Sequence, residues 1–136
     1  EDWRGIFSIP GVSFVNLQYG DCAREISDIE KMFGVGIHDW DDLDPIADPE
    51  DQMAQISCLD LVIQTSNASA HMAGAMNIPV WNMVPYVPDS RWSLEGDACL
   101  WYPSMRMFRQ PTLHDWNSLF AQVEAELRIL AKAQKG

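Results

Sequence analysis
The stretch Leu61–Pro85, LVIQTSNASAHMAGAMNIPVWNMVP, constrains the fold more than any other part of the chain. It opens with an apolar, β-branched run, Leu61-Val62-Ile63, bounded by polar residues, as a buried strand should be. Thr65-Ser66-Asn67-Ala68-Ser69 then reads as a tight turn whose small hydroxyl and amide side chains can cap a helix with the body Ala70–Met76. Asn77 suits a left-handed stop, and Pro79 opens a second apolar run, Val80–Val84. Strand, turn, short helix and strand make a βαβ unit. Its turn aims backbone N–H groups and a helix N-terminus at whatever lies above the sheet, which suits an anion such as a diphosphate.

The flanking segments extend the same alternation. Asp2–Ile9 reads as the tail of a helix or a docking segment that ends before Pro10-Gly11. Val12–Tyr19 alternates and is β-rich, a first strand. Asp21 suits an N-cap, and Ala23, Ile26, Ile29, Met32 and Phe33 recur at helical spacing, so Asp21–Phe33 is expected to be an amphipathic helix closed by Gly34. Val35–Trp40 gives a short second strand and Asp39–Asp48 an acidic loop. Asp48-Pro49 then starts a helix through Met53, Ile56 and Cys58. Strand three is Leu61–Gln64, strand four Val80–Val84 and strand five Met105–Arg109, with Pro85–Tyr102 a long aromatic loop. Asp115 or Thr112 caps a last helix with Trp116, Leu119, Phe120, Val123, Leu127 and Leu130 on one face, and Ala131–Gly136 is expected to fray. Five alternations with short connections predict one α/β domain over 1–136: a Rossmann-like parallel sheet of about five strands with helices on both faces.

Composition narrows the function classes. The net charge of −11 is uneven: residues 1–60 carry fourteen acids against three bases, whereas residues 61–136 carry six of each. That balance disfavours a nucleic-acid groove or an anionic membrane surface. Cys22, Cys58 and Cys99 are widely spaced and form no CxxC, which points to a reducing, cytoplasmic setting rather than a disulfide framework. No apolar run approaches membrane-spanning length. The first residue is Glu, close before a strand, as expected of a piece of a longer protein. Asp39, Asp41, Asp42 and Asp44 lack the Gly and terminal Glu of an EF-hand and read as a solvated loop. His38 and His114 have no ligand spacing, so no metal is expected. No G-x-S-x-G surrounds Ser66 or Ser69, and no G-x-G-x-x-G follows strand one, which disfavours a hydrolase elbow and a dinucleotide fingerprint.

Phe14–Asp21, Asp60–Ile63, Ala70–Ala75, Pro79-Val80-Trp81, Pro85–Asp89, Arg91-Trp92 and Trp101–Gln110 together carry a resemblance that covers nearly the whole chain. In this order they resemble the C-terminal half of GT-B glycosyltransferases of the heptosyltransferase-like group, particularly bacterial proteins that join tetratricopeptide repeats to such a domain. The resemblance implies a single half of a GT-B fold that holds a nucleotide-diphosphate sugar. The absent N-terminal half would supply the acceptor site and the catalytic base, and no cofactor is implied. Carried over, Ser66, Asn67, Ala68 and Ser69 would hold the diphosphate through backbone N–H groups and hydroxyls. Where the family turn usually reads Asp-Thr-Ser, this chain has Ser66-Asn67-Ala68.

Gln18 resembles a position that reaches the nucleotide phosphates in related enzymes. Some of those relatives place a lysine just beyond it, where this chain has Tyr19-Gly20. Between Lys31 and Arg128 the bases are Arg91, Arg106 and Arg109. Arg91 follows strand four at the carboxyl edge, where ligands of such folds sit, and is the choice to neutralise a departing diphosphate. His71, in the first turn of the helix, can donate to a phosphate or pack against a neighbour. Trp81, Trp92 and Trp101 bracket the loop, where one can stack on a base or simply pack. The rival expectation is a non-catalytic, degenerate module that binds a nucleotide or a protein. An exposed cleft face left by the absent half would also allow homo-oligomers.

Overall fold
The computed structural model describes residues 3–40, 42–44 and 46–134. In chain order it contains α1 (Arg4–Phe7), β1 (Phe14–Val15), α2 (Ala23–Phe33), β2 (Ile37–His38), α3 (Pro49–Ser57), β3 (Val62–Thr65), α4 (Ala68–Ala75), β4 (Val80–Val84), a 3₁₀ turn (Ser90–Trp92), β5 (Met105–Arg109) and α5 (Trp116–Ala133). The α/β architecture follows the alternation in the sequence.

The sheet departs from it. β3, β4 and β5 form one parallel sheet in that order, whereas β1 and β2 pair with each other in a second, two-stranded parallel sheet. The expected sheet of about five strands is therefore divided, and its larger part has three. The β1 and β2 ladders are also shorter than Val12–Tyr19 and Val35–Trp40, because only Phe14↔Ile37 and Val15↔His38 pair.

Side-chain alternation along the three-stranded sheet sorts the core into two layers. Val62, Val80, Val84, Met105 and Met107 pack under α3 and α4 with Ile56, Ala70, Ala73 and Trp92. Met83 and Phe108 face the other way, toward Ile6 and Ile9 and the Leu119, Val123 and Leu127 stripe of α5. α5 returns antiparallel to β5, since Arg106 near the start of β5 pairs with Glu126 late in the helix at 3.0 Å. One half-turn on, Arg128 reaches Gly5 O and Ser8 Oγ, which docks α1 at the amino edge of the sheet.

Helix ends follow local chemistry. Asp48, Asn67 and Asp115 each accept a backbone N–H three residues on, and Pro49 stands at the first position of α3. Gly34 (φ 65) and Asn77 (φ 59) take the left-handed stops. Asp21 is displaced from the expected N-cap: α2 starts after Cys22, and Asp21 Oδ1 accepts only from Ala23 N, at 3.2 Å. α5 continues through Ala133, beyond the expected fraying at Ala131, because the Leu127–Leu130 face still packs on α1. Asp2, Asp41 and the last two residues lie outside the described residues. No described helix is long and apolar enough to cross a membrane.

Candidate functional site at the carboxyl edge
The β3–α4 turn places the expected residues at the carboxyl edge of the three-stranded sheet, but their side chains do different things. Asn67 is the N-cap, with Oδ1 accepting from Ala70 N at 3.3 Å. Helix geometry leaves the Ala68 and Ser69 amides without an intrahelical acceptor. Ser66 Oγ donates to Asn82 Oδ1 at 3.4 Å, and the buried Ser69 Oγ accepts from Gln52 Nε2 at 3.1 Å. Both hydroxyls thus tie the turn to neighbouring elements, so an anion here would meet backbone amides.

His71 and Arg91 converge. The imidazole stacks on Trp92 with ring centroids 5.0 Å apart, places Nδ1 3.0 Å from the Tyr102 hydroxyl and Nε2 3.4 Å from Arg91 Nη1. A guanidinium only donates, so Nε2 is the acceptor and the Nδ1 proton is directed to Tyr102. Arg91 is clamped by Asp89, with Nε to Oδ1 at 2.8 Å and Nη2 to Oδ2 at 3.2 Å. The side-chain hydrogen bonds from Arg91, reinforced by the Arg91 N–H, pull the Asp89 carboxyl down to about 2. The same partner holds the Arg91 guanidinium above its ordinary value. The Arg91 side chain remains 54% exposed despite these contacts. Trp101 Nε1 donates to Arg91 O at 3.0 Å and fixes the backbone behind it.

A second arginine builds the loop. Arg109, at the end of β5, donates to Gly96 O at 2.6 Å, Trp92 O at 2.7 Å and Ser93 O at 3.1 Å. Its partial burial lowers the guanidinium from its ordinary value. Trp92, fully buried, anchors the same loop in the core, and Trp81 packs on Phe108 on the opposite side of the sheet. Of the three bracketing tryptophans, Trp101 is the exposed one, at 66%.

Gln18 lies apart from His71 and Arg91. It lines, with Thr65 and Asn67, a cleft of about 780 Å³ between β1 and β3. Its N–H is held by Asn16 Oδ1 at 3.0 Å, and Asn16 also donates to Asp39 at 3.0 Å. In the acidic loop Asp44 Oδ1 accepts from the Ile46 and Ala47 amides. No group of three or more His, Cys, Asp or Glu residues stands together for a metal ion among the described residues. Asp89 and Tyr102 are the contributors that pattern reading missed. The Asp-Ser-Arg spacing at 89–91 is a local signal for the first, whereas Tyr102 reaches His71 only through the fold.

No family model matches the chain, and no solved structure matches it. Protein FlbA of Caulobacter vibrioides is 37% identical to it over 130 residues, which cover 95% of this chain and 21% of FlbA. The chain therefore spans about a fifth of the length of that relative.

Proposed function
We propose that this domain binds the donor of a GT-B glycosyltransferase, a nucleotide-diphosphate sugar, at the carboxyl edge of β3 and β4. The observation that carries this reading is the approach of Arg91 to His71 one turn above the open amides of α4. A helix N-terminus and a fixed guanidinium are complementary to a diphosphate and to the charge that grows on it as it leaves. In the longer protein, an acceptor hydroxyl activated by a base in the N-terminal half would attack the anomeric carbon, without a metal, in the cytoplasm. Ser66–His71 and Arg91 would receive the nucleoside diphosphate, and Gln18 would reach it from β1. Alone, the domain would bind donor weakly and turn over little or nothing.

The Asp89 clamp favours a second reading, a degenerate module that binds a nucleotide or a protein without chemistry, because Arg91 already has a carboxylate partner. Calorimetric titration with UDP, GDP, ADP and CMP separates the two. Millimolar or tighter binding of one nucleotide, weakened by Arg91→Ala, supports the donor site and names its base. A folded domain that binds none of the four sinks it.

A further inference from the structure
The His71 ring is held in one orientation. The buried Trp92 indole stacks on one face, with 24° between the planes, and the Tyr102 ring stands edge-on to it at 72°. Tyr102 is itself seated against Gly74, where even a Cβ would collide with its ring. Both imidazole nitrogens are engaged, Nδ1 by the Tyr102 hydroxyl and Nε2 by Arg91 Nη1. Turning the ring over would put carbon atoms where the nitrogens stand and forfeit both contacts, so the nitrogens keep their places.

The neighbours decide which nitrogen carries the proton. Asp89 occupies Nε and Nη2 of Arg91, which leaves Nη1 as the corner of the guanidinium turned to His71. Because Nε2 accepts from that donor, the free chain carries its imidazole proton on Nδ1. A phosphoryl oxygen makes the opposite demand. It only accepts, so a bare Nε2 beside it is repulsive and a protonated Nε2 binds it.

Tyr102 satisfies either state. A phenolic hydroxyl both donates and accepts, so it takes a bond from Nδ1–H while Nε2 is bare and gives one to Nδ1 when Nε2 is protonated. We propose that His71 exchanges tautomers when a phosphoryl group enters beside Arg91. One proton leaves Nδ1 for solvent, another reaches Nε2 from solvent, and the Tyr102 O–H reverses. The exchange takes up no net proton, so no second positive charge arises 3.4 Å from the guanidinium, where it would be repelled. The charged groups on this side of the ring are Arg91 and, behind it, Asp89, and α4 itself carries none. Released from Nε2, Arg91 Nη1 donates to the same phosphoryl group as the new Nε2–H.

This inference rests on the reading that a phosphorylated donor binds at Arg91, and it adds what the site selects. An oxygen that only accepts meets two donors there. A sugar hydroxyl would instead donate to Nε2 as it stands and leave the ring unchanged. His71 is therefore the residue that tells a phosphoryl oxygen from a hydroxyl.

Proton–nitrogen NMR correlation spectra of the imidazole read the tautomer directly, at about pH 8.5, roughly two units above the ordinary imidazole value. His71→Gln identifies the His71 signals among those of the three histidines. The free chain is expected to show Nδ1 protonated and Nε2 bare, and Arg91→Ala should let the Nε2–H form appear. UDP, GDP, ADP and inorganic pyrophosphate are then added at millimolar concentration, with binding followed at the Ser69 and Arg91 amides. In the bound chain the two nitrogen resonances should trade places, the protonated one lying far upfield of the bare one. A free chain already protonated at Nε2 overturns the inference without any ligand. So does a bound ligand that leaves the proton on Nδ1 or puts protons on both nitrogens, and in those cases the donor site stands. If none of the four moves any signal of the folded chain, the donor reading falls and this inference falls with it.

Discussion

The Arg91 guanidinium sits between two partners of opposite use: Asp89 holds it at 2.8 Å through Nε, and His71 Nε2 meets its Nη1 at 3.4 Å. The carboxylate fixes where the cation is, and the imidazole makes the longer contact. The geometry links the loop after β4 to the first turns of α4, two segments separated by 20 residues.

Asp89 should titrate low. Its folded value, about 2, is depressed from 3.8 first by the Arg91 side-chain hydrogen bond, so the clamp contributes fully above the unfolded value and is lost as pH falls through about 2. Carboxyl-detected NMR should place the Asp89 midpoint near 2, and Arg91→Ala should return it toward the ordinary carboxylate range. A midpoint unchanged by that substitution would mean the pair does not form in solution.

Substitutions at Asn67 test folding and the proposed anion binding separately. Asn67→Ala removes the cap on Ala70 N and should cost about 1 kcal/mol in urea unfolding. Asn67→Asp keeps an acceptor there and suits the helix dipole, so stability should hold or rise by a few tenths of a kcal/mol. The added carboxylate would sit against the first amides of α4, so the proposed nucleotide binding should weaken while stability does not.

Gly74 leaves room for the Tyr102 ring against α4: a Cβ there would stand 2.5 Å from Tyr102 Cγ. Gly74→Ala gains up to about 1 kcal/mol of helix propensity. Displacing an aromatic ring near its root costs about 1–3 kcal/mol, so the net effect is destabilising. The ring carries the hydroxyl that meets His71 Nδ1, and the His71 imidazole resonances should shift with it.

Arg109 is a structural cation. Arg109→Lys leaves one ammonium to serve carbonyls of Trp92, Ser93 and Gly96 that the planar guanidinium reaches together, and should cost about 1.5–3 kcal/mol. The loop over Ser93–Gly96 should become a site of limited proteolysis in the variant while the native chain resists.

The parts of this fold that could be read from the residues are those set by neighbours in the chain. Val62 to Val84 announced a strand, a capped helix and a strand because the β-branched runs, Asn67, Asn77 and Pro79 each act within a few residues. Trp116 to Leu130 announced α5 through its stripe. What could not be read is pairing: nothing local to Val15 or Ile63 says whether their edges meet, so the divided sheet was invisible. The site divides in the same way. Arg91 follows β4 directly in the chain, so its place is legible, whereas the inward turn of the Ser66 and Ser69 hydroxyls depends on Asn82 and Gln52, distant in the chain.

The stretch without buried residues, Pro10–Asp51, lies within the 60 residues that hold fourteen acids against three bases. Self-repulsion and thin packing therefore coincide here, whereas residues 61–136, with six acids and six bases, carry no net charge. Raising ionic strength from 10 mM to 150 mM shortens the Debye length from about 30 Å to about 8 Å and relieves the repulsion within this unit first. The β1–α2–β2 unit is thus the part of the chain whose stability responds first to ambient salt.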